Sequence, residues 1–301
     1  MLFDTQISKI EKVQFTFNQK EYHFDIKRDD LIDPIVSGNK WRKLKYNVEK
    51  AQQLNKIGIL TFGGAYSNHI VATAKACNKA GLKCVLFIRG DELNPLSNKT
   101  LETCKSLGAT FEFVSREDYR SLKSSEISKV KSTYPNFFVV PEGGANYYGV
   151  IGCQEIVNEI KSEYDQVYVA AGTGTTAAGL RIGLPQTTNL HIVNALKGDW
   201  MKKEVHQHIY WTVQDENLAS EFMRNTIFHQ DQFGGYAKWN EEIVLLIKAF
   251  YQQTKIKLDP IYTAKVLWNI IHPDNYNPKV NVLMMHTGGV QGLGEDFFAS
   301  F

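Results

Sequence analysis

Two short stretches carry residues whose types and spacing could do chemistry. In SGNKWRKLKYN (residues 37–47) one amine, Lys40, follows Gly38 and Asn39 and precedes an aromatic, an arginine and Lys43. A lysine is ordinarily a solvated surface charge, but a desolvated or charge-crowded one becomes a nucleophile toward carbonyl carbon. In DQVYVAAGTGTTAAG (165–179) an apolar run ends in a turn made of Gly172, Thr173, Gly174, Thr175 and Thr176 and continues with helical spacing. Backbone N–H groups at a helix start favour an anion, and three hydroxyls add short hydrogen bonds, so this turn suits one compact phosphate. GTGTTA also fits the dinucleotide pattern G-x-G-x-x-A. The next strand, however, ends in Ala195, Leu196 and Lys197 rather than in an acid for a ribose hydroxyl, and Asp199 comes only later. No GK[ST] is present, which excludes a Walker loop. A phosphate-bearing cofactor together with one special lysine points to pyridoxal 5′-phosphate (PLP), whose aldehyde condenses with a lysine amine.

Strands alternating with helices would position such groups, and the chain supplies them from about residue 57. GILTFGG (58–64) precedes the helical SNHIVATAKACNKAG (67–81), and KCVLFIRG (83–90) precedes NPLSNKTLETCKSLG (94–108). TFEFVS, NFFVVPEGG with a helix from about Tyr148, DQVYVAAGTG with TTAAGLRIG, NLHIVNALKG and KVNVLMMHTGG continue the alternation. This predicts an α/β fold of parallel sheets covered on both faces. Gly-rich turns end four strands, in TFGGAYSN, VVPEGGAN, VAAGTGTT and MMHTGGVQG. Ligands bind beyond the carboxyl ends of such strands, so four turns imply a crevice shared by two sheets.

Bulk properties remove several classes. A net charge of +2, with basic residues scattered, gives no electrostatic footprint for nucleic acid. No apolar run approaches the roughly 18 residues of a membrane span. Asp4 interrupts an N-terminus that lacks a secretory apolar region, and the four cysteines form no CxxC pair, so a cytoplasmic protein is expected. His206 and His208, in VHQHIYW, would share one face of a strand as two metal ligands do, but no acid or cysteine stands at ligand spacing, and no metal is expected. The basic cluster from Arg42 to Lys45 suits a helix start with a solvated face, Lys43 excepted.

The ordered segments SGNKWRKL, FGGAYSNH, PEGGANYYGVIG, AAGTGTTAAG, FGGYAKW, LDPIYTAK and MMHTGG span residues 37–289. As a set they resemble the PLP-dependent 1-aminocyclopropane-1-carboxylate (ACC) deaminase/D-cysteine desulfhydrase family, whose fold is that of the tryptophan synthase β subunit. The resemblance implies two open, twisted, mostly parallel sheets flanked by helices. It divides them into a larger PLP-binding domain (1–45 and 151–301) and a smaller α/β domain (46–150), in a homodimer acting on a small amino acid. Lys40 resembles the Schiff-base lysine and, once released, the base beside Cα. Asn39 resembles the residue on the cofactor's 3′ oxygen, Lys43 a further positive partner for the phosphate, and Thr287 the residue opposite the pyridine nitrogen. Gly172, Thr173, Gly174, Thr175 and Thr176 form the phosphate loop. Ser67 (as a catalytic residue), Asn68 and His69 meet the substrate, His69 standing where relatives commonly have Gln. Tyr236 and Tyr262 resemble catalytic tyrosines that face the substrate.

Plain alternatives stand beside these roles. Ser67 suits an N-cap, the asparagines suit turns, and most tyrosines only pack. ACC deaminases of the family carry Glu directly after the second tyrosine; here Thr263 follows Tyr262. A carboxylate there would hold the ring-nitrogen proton more firmly and make PLP a stronger electron sink. Its absence favours β-elimination of sulfide from D-cysteine or a similar D-amino acid over opening of the ACC ring. ACC deamination and a non-catalytic PLP-binding role are the alternatives.

Overall fold

The computed structural model describes residues 2–36, 38–230, 233–235 and 237–290. Its first elements, β1 (Ile10–Phe17) and β2 (Lys20–Lys27), form an antiparallel hairpin. Asn18 and Gln19, both with positive φ, make the two-residue turn whose twist matches that of its strands. The remaining strands are β3 (Gly58–Gly64), β4 (Lys83–Arg89), β5 (Thr110–Val114), β6 (Phe137–Val140), β7 (Gln166–Ala171), β8 (Asn189–Asn194), β9 (Thr226–His229) and β10 (Val282–Met285). Two sheets result, ordered β1-β2-β10-β7-β8-β9 and β5-β4-β3-β6, with every pairing parallel except the hairpin.

Helices cover both sheets, as buried parallel strands require. They are α1 (Asn39–Gln53), α2 (Asn68–Ala80), α3 (Lys99–Ser106), α4 (Arg116–Leu122), α5 (Ile127–Thr133), α6 (Tyr147–Asn158), α7 (Thr175–Gly183), α8 (Trp200–Val213), α9 (Glu216–Phe222), α10 (Glu241–Thr254) and α11 (Thr263–Ile271). One core places β7, β8 and β10 against α6, α7 and α8, and another places the hairpin against α10 and α11. A third packs Trp41, Leu44, Val48 and Ala51 of α1 with α2 and the four-stranded sheet, so a domain boundary at 45/46 falls within α1. Among the described residues no helix is long and apolar enough to cross a membrane.

Three local expectations are corrected. The helix expected over 94–108 begins only at Lys99, because Asn98 Oδ1 accepts the Leu101 N–H at 3.0 Å and caps it there. His206 and His208 lie on α8 and not on a strand, so two residues apart they face different ways. The His206 ring meets Glu216 at 3.2 Å, and His208 turns inward.

The basic face at Arg42 is not solvated. Arg42 is 2% exposed and bonds Asp29 and Glu159, while the fully buried Lys27 bonds Ser8, Asp29 and Glu159. Two cations and two carboxylates thus tie β2, α1 and α6 into one block behind the start of α1. Burial opposes charge on Asp29, but Arg42 and Lys27 outweigh it and hold the carboxyl below its usual range. Its contribution is complete above the unfolded carboxyl's titration and fades as pH falls through the lower folded value. Asp29→Ala strands two buried cations on one carboxylate. It should cost about 3–5 kcal/mol in chemical denaturation near neutral pH, and less when the measurement is made in acid.

Candidate active site

The carboxyl ends of β3, β6, β7 and β10 all deliver their loops to the start of α1. Asn39 donates Nδ2–H to Thr176 Oγ1 at 2.9 Å and its backbone N–H to the Thr287 carbonyl at 3.3 Å. Its Oδ1 accepts from Lys40 Nζ at 2.7 Å. One asparagine therefore joins the helix that carries the lysine to the Gly-Thr turn before α7 and to the loop after β10. Thr173 Oγ1 and Thr175 Oγ1 lie 3.0 Å apart across that turn.

The loop after β6 closes another side. A side-chain carbon at Gly143 would stand 2.7 Å from Thr173 Cγ2; one at Gly144 would stand 3.1 Å from Lys43 Cβ and 3.6 Å from His69 Cε1. Just before α11, Tyr262 sets its hydroxyl 3.6 Å from the corresponding position on Gly172. Lys40, Asn39, Lys43, Thr173 to Thr176, His69, Tyr262 and Thr287 are thus gathered at one place, with Ser67 and Asn68 at the N-terminal end of α2. Tyr236 lies outside the described residues.

Electrostatics single out the two lysines. Burial, then the neighbouring Lys43 charge, lowers Lys40 to about 7, against smaller upward pulls from Cys153 and Asp259. A lysine in that range offers a neutral amine at neutral pH. Lys43 is 4% exposed and lowered by burial. No hydrogen bond or salt bridge among the described residues engages its ammonium. A buried ammonium without a partner, beside a glycine turn at a helix start, fits a phosphate group.

Ser67 caps α2, its Oγ accepting from His69 N at 3.2 Å, which leaves the hydroxyl proton free to donate. His69 is not a cation. Burial first, then Lys40 and Lys43, lower its ring to about 3. Thr61 gives its one proton to Val140 O at 2.8 Å, so His69 Nε2–H donates to Thr61 Oγ1 at 2.9 Å. Nδ1 keeps a bare, buried lone pair with no partner, which would repel a carboxylate.

Sequence reasoning passed over Asp259. Its Oδ1 accepts the Ile261 and Tyr262 N–H groups, and its Oδ2 accepts the Thr263 N–H and hydroxyl. This carboxylate starts α11 and aims Tyr262; an acid a few residues before a helix was the available signal. Thr263 is fully buried with its proton on Asp259, so Tyr262 is what this segment shows to the crevice. Cys153, a thiol raised by burial against the pull of Lys43 and the Thr176 hydroxyl, was also missed.

Known proteins resemble this chain over most of its length. The family described as pyridoxal-phosphate dependent enzyme matches residues 5–288. A Thermotoga maritima protein provisionally named 1-aminocyclopropane-1-carboxylate deaminase is 35% identical over 303 residues, covering 93% of this chain and 94% of its own. The mitochondrial bifunctional D-cysteine desulfhydrase/1-aminocyclopropane-1-carboxylate deaminase of Arabidopsis thaliana is 28% identical, over 89% of this chain and 72% of its own. The crystal structure of an ACC deaminase homologue superposes with a TM-score of 0.79 at 25% identity, covering 98% of this chain and 94% of that one.

Proposed function

The chain belongs to the pyridoxal-phosphate dependent enzyme family, and from that membership we propose a lyase of the D-cysteine desulfhydrase type. It would release sulfide, pyruvate and ammonia from D-cysteine or a similar D-amino acid. The observation that carries this reading is the pair of enclosed lysines: Lys40 lowered to about 7, and Lys43 held without a partner beside the Gly172–Thr176 turn. PLP would be held by Lys40, by Lys43 and the 172–176 turn at its phosphate, and by Asn39 and Thr287 at the ring. When bound it supplies the aldehyde that captures the substrate amine and the electron sink that makes the Cα proton acidic.

The protein's own groups do the rest. Lys40, which gives up its own proton as pH rises through about 7, takes the Cα proton. The Ser67 hydroxyl and the first turn of α2 hold the substrate carboxylate, with the helix dipole in favour. The His69 ring presents no N–H there and limits the pocket by its shape. The Tyr262 hydroxyl would protonate the departing sulfur, a role the family resemblance also assigns to Tyr236. Movement of the unit built on the four-stranded sheet toward the one built on the six-stranded sheet would exclude water from the reacting carbon. The expected assembly is a homodimer. Four free cysteines, all buried, suit a reducing cytoplasm.

The choice of leaving group rests on position 263. No carboxylate reaches the crevice from Thr263, and both Asp259 oxygens already accept hydrogen bonds from their own segment. A weaker sink is enough to expel sulfide. ACC deamination, giving α-ketobutyrate and ammonia, is the second reading, favoured by the name of the 35% identical relative. Purified, PLP-loaded protein offered D-cysteine and ACC in parallel decides between them: sulfide with pyruvate is expected. α-Ketobutyrate from ACC without sulfide would overturn the assignment, and bound cofactor with no keto acid from either would indicate a binding role.

A further inference from the structure

The buried stripe of α8 packs directly against the phosphate turn. A side-chain carbon at Gly174 would stand 3.1 Å from Val205 Cγ2 and 3.4 Å from Met201 Sδ. Further along the stripe His208, 3% exposed, sets Nε2 3.0 Å from the Thr173 carbonyl oxygen. A carbonyl only accepts, so Nε2 carries the proton and donates. Nδ1 is buried without a partner. Burial and then Lys43 make a second proton unfavourable, against the pull of that carbonyl, and the ring stays a neutral single donor. A leucine would fill this apolar niche, so volume alone does not explain a histidine there.

The bond fixes one peptide plane. Across a trans peptide the C=O and the following N–H point to opposite sides. Tying the Thr173 carbonyl back to α8 therefore turns the Gly174 N–H toward the open side of the turn. Gly174 has φ +74° and helical Thr175 follows it, a left-then-right-handed pair whose successive N–H groups converge on an anion. The flipped peptide would present a carbonyl oxygen to the phosphate and repel it.

We propose that His208 is a positioning residue for the phosphate of PLP, holding the Thr173–Gly174 peptide from behind so that its N–H completes the anion cradle. This rests on the PLP reading above, and the probes separate the two. PLP and pyridoxal, which lacks the phosphate, are titrated by fluorescence quenching into cofactor-free protein, with thermal melts of the same samples. His208→Leu should weaken PLP by about 10- to 100-fold, the scale of a lost charge-assisted hydrogen bond. Pyridoxal affinity and the cofactor-free melting temperature should stay near wild type. His208→Gln, whose side-chain N–H can take the place of Nε2–H, should recover most of the loss. If His208→Leu does not fold, His208→Asn, too short to reach the carbonyl, serves in its place. Equal weakening of PLP and pyridoxal, an unchanged PLP affinity, or no recovery by glutamine would overturn the proposal. Wild-type protein that binds no PLP would instead overturn the reading beneath it.

Discussion

Replacing Lys40 with alanine should lower kcat/KM by about 10^4-fold or more, the scale set by losing a nucleophile and a general base together. At 1.36 kcal/mol per factor of ten, that is at least about 5.5 kcal/mol of transition-state stabilisation. PLP should still bind through the 172–176 turn and Lys43, but with the absorbance of a free aldehyde, and dialysis should remove it. Lys40→Arg should be equally inactive, because a guanidinium keeps the charge without becoming a nucleophile. Substantial turnover in either variant would show that another group carries the chemistry.

The same residue gives a pH signature with a definite sign. Burial and Lys43 lower Lys40 to about 7, so capture of PLP by cofactor-free protein should quicken as pH rises through that value. Lys43→Met removes the like charge and should move the inflection upward. The unfolded chain keeps the Lys40 proton up to about pH 10.5, as an ordinary lysine does, and the folded chain only to about 7. Cofactor-free protein should therefore gain stability across that interval, a slope that Lys40→Ala should flatten.

Local signals made most of the layout legible. The strand–glycine turn–helix alternation beyond residue 57 is visible in the chain, and the ordered segments carry the family resemblance that singles out Lys40. Distant partners were not visible. Lys27 reaches Glu159 across 132 positions and Arg42 reaches it across 117, so a basic stretch that looks solvated is in fact the buried clamp behind the site. Thr61 fixes the His69 tautomer only because Val140, 79 positions away, takes its proton. The helical placement of His208 is legible in its spacing. The aromatic and β-branched residues of VHQHIYW suggest a strand, but Met201, Val205, His208 and Ile209 fall at helical spacing and are the residues buried on α8. The β1–β2 hairpin likewise shows alternation, Val13 and Phe15 facing the core, without the Asn-Gly signature that marks such turns most clearly.

The position that seats Lys40 is Gly38, and Gly38→Ala should be among the most damaging single-atom additions to this protein. Gly38 precedes α1 with φ +62° and ψ −136°, where a Cβ is strongly disfavoured. That Cβ would also stand 1.9 Å from the Thr287 carbonyl oxygen and 2.6 Å from Gly288 N. The loop is held in place by two bonds to other segments and one within itself. His286 N donates to Lys27 O at 3.0 Å, its ring bonds Lys257 O at 2.7 Å, and Gly288 N donates to His286 Nδ1 at 3.3 Å. Gly81→Ala is the control: φ is +69°, but nothing lies within 4 Å of an added carbon, so it should cost only about 1 kcal/mol. Gly38→Ala should cost more than about 3 kcal/mol in denaturant midpoints. In whatever fraction folds, Asn39 would lose its bond to Thr287 and PLP affinity would fall with it. Equal effects at the two glycines would mean that backbone strain alone matters and that α1 does not rest on the β10 loop. A much larger effect at Gly38 would establish that this contact, between two elements far apart in sequence, holds the lysine in place.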